Sequence, residues 1–206
     1  SGDEMRKIAV DHSDIFGINS LSTLGTQNTD WQSKIYRTAI SHDHDLGITG
    51  SFKNFPYRAS VGYTGQNGIL KNTDLQRLTG AVNLDPSFFK GKLKVSVNGK
   101  VMHTNNNFGE SGAIGSAVNM DPTQVVKDGN PASAGYYQWQ NYGASLGTPN
   151  PVEQLMAVDN TSIVNRYIGG LQVDYSIPFI NGLRFNMNMA TDQTKSNGHN
   201  NRPTTS

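Results

Sequence analysis

Apolar residues recur at every second position along several stretches of this chain, and that period demands extended strand rather than helix. In the run 57–64, Tyr57, Ala59, Val61 and Tyr63 share one face while Arg58, Ser60, Gly62 and Thr64 share the other, because successive side chains of a strand point to opposite sides. The alternation returns at 78–84, 93–101, 171–177 and 183–189, and a shorter run at Leu46 and Ile48 brings the predicted strands to six. Their expected bounds are 43–51, 57–66, 75–85, 92–105, from about 162 to 177, and 183–194. One face of each strand is greasy and the other wet, so the open question is what medium meets each face.

Composition leaves two media open. Charged residues make up 16% of the chain and the apolar set 35%, both low for a soluble globular domain, with Gly, Asn, Ser and Thr filling the gap. A polar but sparsely charged lumen wall has this composition, and so does a soluble β-sandwich of modest apolarity. Seventeen basic residues against sixteen acidic ones form no cluster that would attract nucleic acid. The absence of cysteine excludes disulfides and thiolate metal sites. No apolar run is long enough for a membrane-spanning helix, whereas a barrel strand needs only about 9–11 residues. The first residues lack the order of a signal peptide, and a start at Ser1-Gly2-Asp3 is that expected of a fragment.

The connections choose between the media. Residues 1–40 read as a loop segment with a short helix over 3–10, possible caps at Ser13-Asp14 and at Asn28-Thr29-Asp30, and a helical turn over 30–37 presenting Trp31, Ile35 and Tyr36. Turns follow at 52–56, at Gln66-Asn67-Gly68, where Asn-Gly is a favoured hairpin signal, at 85–92 and at 178–182. The stretch 105–160 is a long insertion with a brief helix over 112–120. Connection lengths therefore alternate: short, longer, short, very long, short. In an up-and-down meander every second connection lies at the same end, so tight turns gather at one end and long loops at the other. Outer-membrane barrels are built this way, and a sandwich has no reason to sort loops by parity. Aromatic residues near strand ends (Phe55, Tyr57, Tyr63, Tyr175, Phe179) match an interfacial girdle. The fold class expected is all-β, a meander forming part of a transmembrane barrel. It divides into a loop segment 1–40, a partial barrel 41–195 with its long loop 105–160, and a frayed tail or truncated loop 196–206.

Catalytic and metal chemistry find little support. His42 and His44 would share a strand face, but no third ligand is placed beside them, so no metal or other cofactor is expected. The glycine-rich run 109–116 lacks the Gly-Lys-Ser/Thr end of a phosphate loop. No carboxylate pair suggests an enzyme. Asn160-Thr161-Ser162 matches a glycosylation sequon, a pattern that chance often supplies. Tyr136, Tyr137, Trp139 and Tyr142 are the candidate ligand-binding residues, because aromatic faces stack on sugars and peptides while their polar tips hydrogen-bond. Packing of these rings against the neighbouring loop is the competing role.

Several motifs in series resemble one family. Asn28-Thr29-Asp30-Trp31-Gln32 with Ile35-Tyr36-Arg37-Thr38-Ala39, then His44-Asp45-Leu46-Gly47-Ile48-Thr49-Gly50, resemble its N-T-D-W-Q…R-T-A segment and the strand after it. The run 57–63 followed by Gln66-Asn67-Gly68-Ile69-Leu70-Lys71-Asn72-Thr73-Asp74 is similar to its S-x-G-Y…Q-x-G-I-I-K-N-T-D hairpin, and Met120-Asp121-Pro122-Thr123 and Asn150-Pro151-Val152 to its loop landmarks. The family is that of the SusC/RagA-type TonB-linked outer-membrane proteins of Bacteroidetes-like bacteria, and the likeness covers about residues 26–195.

The resemblance implies a plugged barrel of about 22 strands that imports oligosaccharide, or sometimes peptide, with a SusD-like surface lipoprotein as lid and the TonB complex as energy source. No plug domain or TonB box is present, and a six-stranded piece cannot close, so a fragment is expected, with TonB engaged through parts this chain lacks. The stretch before Asn28 would be an extracellular loop. In a Gram-negative outer membrane, Tyr57, Val61, Val95, Val97, Leu171, Val173, Phe185 and Met187 would face lipid. Arg58, Ser60, Lys94, Ser96, Gln172, Asp174, Arg184 and Asn186 would line the lumen. The alternative is a soluble β-sandwich carbohydrate-binding module.

Overall fold

A computed structural model describes residues 1–16, 23–139 and 147–202. One antiparallel sheet dominates. Its strands are β1 (Ser41–Phe52), β2 (Phe55–Asn67), β3 (Asp74–Leu84), the two-residue β4 (Ser87–Phe88), β5 (Leu93–Asn107), β6 (Asp159–Ser176) and β7 (Arg184–Asn201). They lie side by side in chain order, with β4 pairing only to the start of β5. This is the predicted meander. No second sheet faces it among the described residues, so the β-sandwich alternative is not formed.

The tight connections, 53–54, 85–92 and 177–183, fall at one end of the sheet and the long ones at the other. Strands run further than the apolar alternation suggests. The segment 196–201, expected as tail, pairs with the first residues of β6, from Val164↔Ser196 to Asp159↔Asn201. Periodicity fades there because both faces are polar, while the backbone ladder continues. The Asn-Gly signal also misleads. β2 ends at Asn67, the connection opens to residues 68–73, and the left-handed position falls on Asn72 at φ 59°.

Among the described residues five α-helices accompany the sheet, three before β1 and two in the β5–β6 connection: α1 (Gly2–Asp11), α2 (Ser13–Phe16), α3 (Trp31–Ile35), α4 (Gly112–Asn119) and α5 (Pro151–Ala157). Ser1 and Glu4 close α1 with a reciprocal capping box, and Asp30 accepts from the Ser33 amide to cap α3. The hydrophobic core lies here and not on the sheet. Trp31 and Ile35 pack with Ala113, Ala117, Met120 and Leu155, and Tyr36, Leu70, Val126, Tyr137 and Val152 close around them. Each large side chain buried here contributes about 1.5–3 kcal/mol.

Asn150 holds two parts of this cap together. It is fully buried; its carboxamide oxygen accepts from Val152 N (3.0 Å) and Glu153 N (3.3 Å), while Nδ2 donates to the carbonyls of Val126 (2.9 Å) and Tyr137 (3.2 Å). Asn150→Ala strips the cap from α5 and orphans two carbonyls, at an expected cost of about 2–3 kcal/mol to the cap. Hydrogen exchange should speed up at residues 126, 137 and 152–155 and stay unchanged in β2 and β3.

Candidate functional site

Residues opposite one another in an antiparallel ladder point the same way, so the register assigns every strand side chain to a face. One row across the sheet reads Tyr57, Leu84, Val97, Leu171, Met189. The next two read Ile48, Ala59, Val82, Gly99, Gly169 and Leu46, Val61, Gly80, Val101, Tyr167. Toward the tight turns the same face continues as Val95, Val173, Met187 and then Leu93, Tyr175, Phe185. All eight residues predicted to be greasy lie on this face. It is uncovered: Leu46 is 69% exposed, Val101 52% and Phe185 51%.

The opposite face carries the eight residues predicted to be wet. Arg58 stands in a row with Asn83 and Asn98, and Ser60 with Ala81 and Lys100. Lys94, Asp174 and Asn186 form another row, beside Ser96 and Gln172. Arg184 bonds Asp174 through two nitrogens (3.2 and 2.6 Å), and the Ser96 hydroxyl donates to Asp85 (2.6 Å).

Toward the loop end the apolar rows give way to His44, Tyr63, Leu78, His103, Asn165 and Lys195. His42 and His44 share this face, ring centroids 5.3 Å apart, with Tyr63 beside His42 at 5.7 Å. No cluster of three potential metal ligands occurs among the described residues.

Above the strand ends sits the cap, and the motif residues build it. Trp31 Nε1 donates to the Asp121 carbonyl (2.9 Å) and the Thr29 hydroxyl to the Gln124 carbonyl (2.6 Å). Arg37 reaches the carbonyls of Gly68 (3.0 Å) and Thr73 (2.7 Å), and Asn72 those of Leu155 (2.9 Å) and Val158 (3.3 Å). Three chain segments distant in sequence are thereby pinned to one another: the stretch before β1, the β2–β3 connection and the β5–β6 connection. Sequence reasoning treated these residues as landmarks; the signal that they were structural was their mix of caps, amides and one indole.

The aromatic candidates lie on this cap. Tyr137 packs against the cap core, and Trp139 meets it edge-on at 5.6 Å between centroids. Tyr136 lies beneath Lys127, whose Nζ is 4.6 Å from the ring centroid. Tyr142 lies outside the described residues. Trp139 also lines an open groove of about 760 Å³ with Met5, Ile8, Val118 and Met120. Burial raises the Tyr137 phenol above its usual value, and the charges of Asp121 and Asp128 push the same way.

A two-faced antiparallel meander with its loops sorted to one end and folded into a cap has the organisation of a segment of outer-membrane barrel wall. The chain is 40% identical over 202 residues to the TonB-dependent receptor SusC of Bacteroides thetaiotaomicron, an alignment covering 89% of this chain and 20% of that protein. It is 27% identical over 153 residues to the TonB-dependent receptor P26 of Formosa agariphila, covering 72% of this chain and 14% of that one. Two structures of the RagAB peptide importer share its fold. The "closed-closed" state aligns with a TM-score of 0.64 at 20% identity over 87% of this chain and 20% of that one. The "open-open" state gives 0.64 at 19% identity over 98% and 26%. No protein-family model matches. The chain belongs to the SusC/RagA family of TonB-dependent receptors, and it spans about a fifth of the length of SusC.

Within the cap, burial raises the carboxyl of Glu153 above its ordinary value of 4.5, and the Gln138 side chain donates to it. A folded state that holds the proton more tightly than the unfolded chain gains from it below the unfolded pKa and loses the gain as pH rises through the folded value. Glu153→Gln keeps the acceptor and removes the charge. Exchange protection of α5 should fall in the wild type as the pH rises from below 4.5 through the elevated folded-state value, and stay flat in the variant.

Proposed function

We propose that this chain forms part of the wall of a transporter in the outer membrane of a Gram-negative, Bacteroidetes-like cell, importing an oligosaccharide or a peptide with energy delivered through TonB. The observation that carries this reading is the uncovered apolar face, with its own polar reverse. From Leu93 to Val101 the band spans about 27 Å along the strand at about 3.4 Å per residue. Tilted by about 40°, that is about 21 Å along the membrane normal, comparable with the apolar band of known barrels, about 25 Å tall. Arg58, Ser60, Lys94, Ser96, Gln172, Asp174, Arg184 and Asn186 then line the lumen.

Both outer strands of the sheet, β1 and β7, have a free edge. Hydrocarbon does not tolerate unpaired backbone groups, so each edge meets a further strand in the working barrel. The cap faces the outside, where a SusD-like lipoprotein closes over it. Tyr136, Tyr137 and Trp139 are proposed to meet cargo there, with Trp139 best placed because it borders the open groove. The relatives are named as receptors and importers, and the proposed role is transport without catalysis. Oligosaccharide, or sometimes peptide, is the cargo that the family resemblance of the motif series implies.

Val97 lies in the middle row of the band. A lysine there would cost about 2–4 kcal/mol in the hydrocarbon, whereas one at Ser96 would meet water and the Asp85 carboxylate. In the full-length receptor, Val97→Lys should abolish heat-modifiable barrel in outer-membrane fractions and Ser96→Lys should leave it intact. Equal yields of both variants would overturn the proposal.

A further inference from the structure

The tight-turn end of the sheet is chemically unlike the cap. Its three connections contain three lysines, Lys53, Lys90 and Lys92, and one acid, Asp85. Asp85 accepts the Ser96 hydroxyl on the polar face. No carboxylate among the described residues lies within ion-pair distance of the three lysines. Exposed aromatics crowd the same rim. Phe89 is 69% exposed and Phe179 92%, with Phe52, Phe55 and Phe88 also open. The Lys53 ammonium sits 5.5 Å from the Phe52 ring centroid.

The backbone contributes a second, independent observation. Phe89, Lys90 and Gly91 take φ values of 53°, 57° and 87° in succession. Only glycine adopts this region without steric cost, and such strain in bulky residues gathers at functional positions. The bend sets Phe89 and Lys90 beside Lys92, Tyr175 and Pro178, and these five residues enclose a shallow recess of about 330 Å³. The recess adjoins the apolar row of Leu93, Tyr175 and Phe185.

We propose that this recess holds the phosphodiester head group of an anionic phospholipid in the leaflet on the tight-turn side of the membrane. Lys90 and Lys92 supply charge, and the Tyr175 phenol supplies a donor. Phe89 lies at the depth where glycerol meets acyl chain, where aromatic residues concentrate in membrane proteins. The lysine stems run along apolar surface while their ammonium groups reach the head-group layer. The proposal rests on the membrane-embedded reading above and adds a lipid of defined charge at one position.

Native mass spectrometry of the full-length receptor in detergent, titrated with phosphatidylglycerol or phosphatidylcholine, tests it. The wild type should retain phosphatidylglycerol over phosphatidylcholine. K90Q/K92Q should lose that preference by about fivefold per lysine, since each basic residue near an anionic surface is worth about 1 kcal/mol. K90R/K92R should keep it, and K127Q, in the cap, should not alter it. Equal retention of the two lipids, an unaffected K90Q/K92Q variant, an equal loss in K127Q, or displacement by soluble glycerol phosphate would each overturn the proposal. The underlying reading fails separately: Val97→Lys would then assemble normally, whereas a defect there without lipid preference removes only the head-group site.

Discussion

The in-register ladder from β1 to β7 is the constraint on which everything else in this molecule depends. Because side chains alternate about each strand and register is kept across the sheet, one face accumulates Leu, Ile, Val, Tyr, Phe and Met. The other accumulates Arg, Lys, Asn, Ser and Asp. A slip of one residue in any strand would move its whole apolar set to the wet face. Among the described residues no second layer of protein covers either face, and the apolar one is far more continuous than the patches a soluble monomer exposes. Hydrocarbon on one side and water on the other satisfy both faces, and no burial of one by the other is needed.

A sheet of this kind contributes no packed interior, so the long loops must hold themselves together, and they do so with a small core of their own. Trp31, Ile35, Met120 and Leu155 fill it. Arg37, Asn72, Thr29 and Asn150 tie its segments through carbonyl groups that loops would otherwise leave without partners. The residues by which the chain resembles its family are largely these ties. The motif series thus reports how the loops are fixed above the strands and leaves the identity of the cargo to other residues.

Most of the sheet was legible because burial in hydrocarbon imposes a period of two on one face, and Leu93 to Val101 or Leu171 to Ile177 display it openly. Legibility ended where that pressure ended. The strand past Thr194 is Lys, Ser, Asn, Gly, His, Asn and Asn, without any apolar face to betray it, yet it pairs as fully as the rest. Helix α5 carried a readable start, an Asn cap followed by Pro at the first helical position, but in so short a segment no amphipathic period accompanies it. Among the aromatic candidates, the sequence signalled a cluster without revealing that Tyr137 is a core residue and Trp139 a wall of the groove.

The lengths of β6 and β7 carry a mechanical consequence. Each has 18 residues, whereas about 9–11 suffice to cross the membrane, so roughly half of the hairpin projects beyond the apolar band on the loop side. That projection is mostly polar on both faces, with Ile163 on one and Val164 on the other as its apolar exceptions. What holds it, besides the ladder, are polar staples on its two faces: Arg166 with Asp192 through two nitrogens (2.9 and 2.5 Å) and Ser162 with Ser196 (3.3 Å) on one, and His199 with Asp159 (2.9 Å) on the other. Arg202 adds a link to Glu110 at the entrance of α4. Exposed pairs of this type contribute about 0–1 kcal/mol each. The projecting hairpin therefore depends chiefly on its backbone ladder, and it stands beside the cap, which is fixed by its own core. On the loop side of the sheet, a cap with its own apolar core thus stands beside a hairpin held by its ladder and exposed polar pairs, and the two are stabilised by different means.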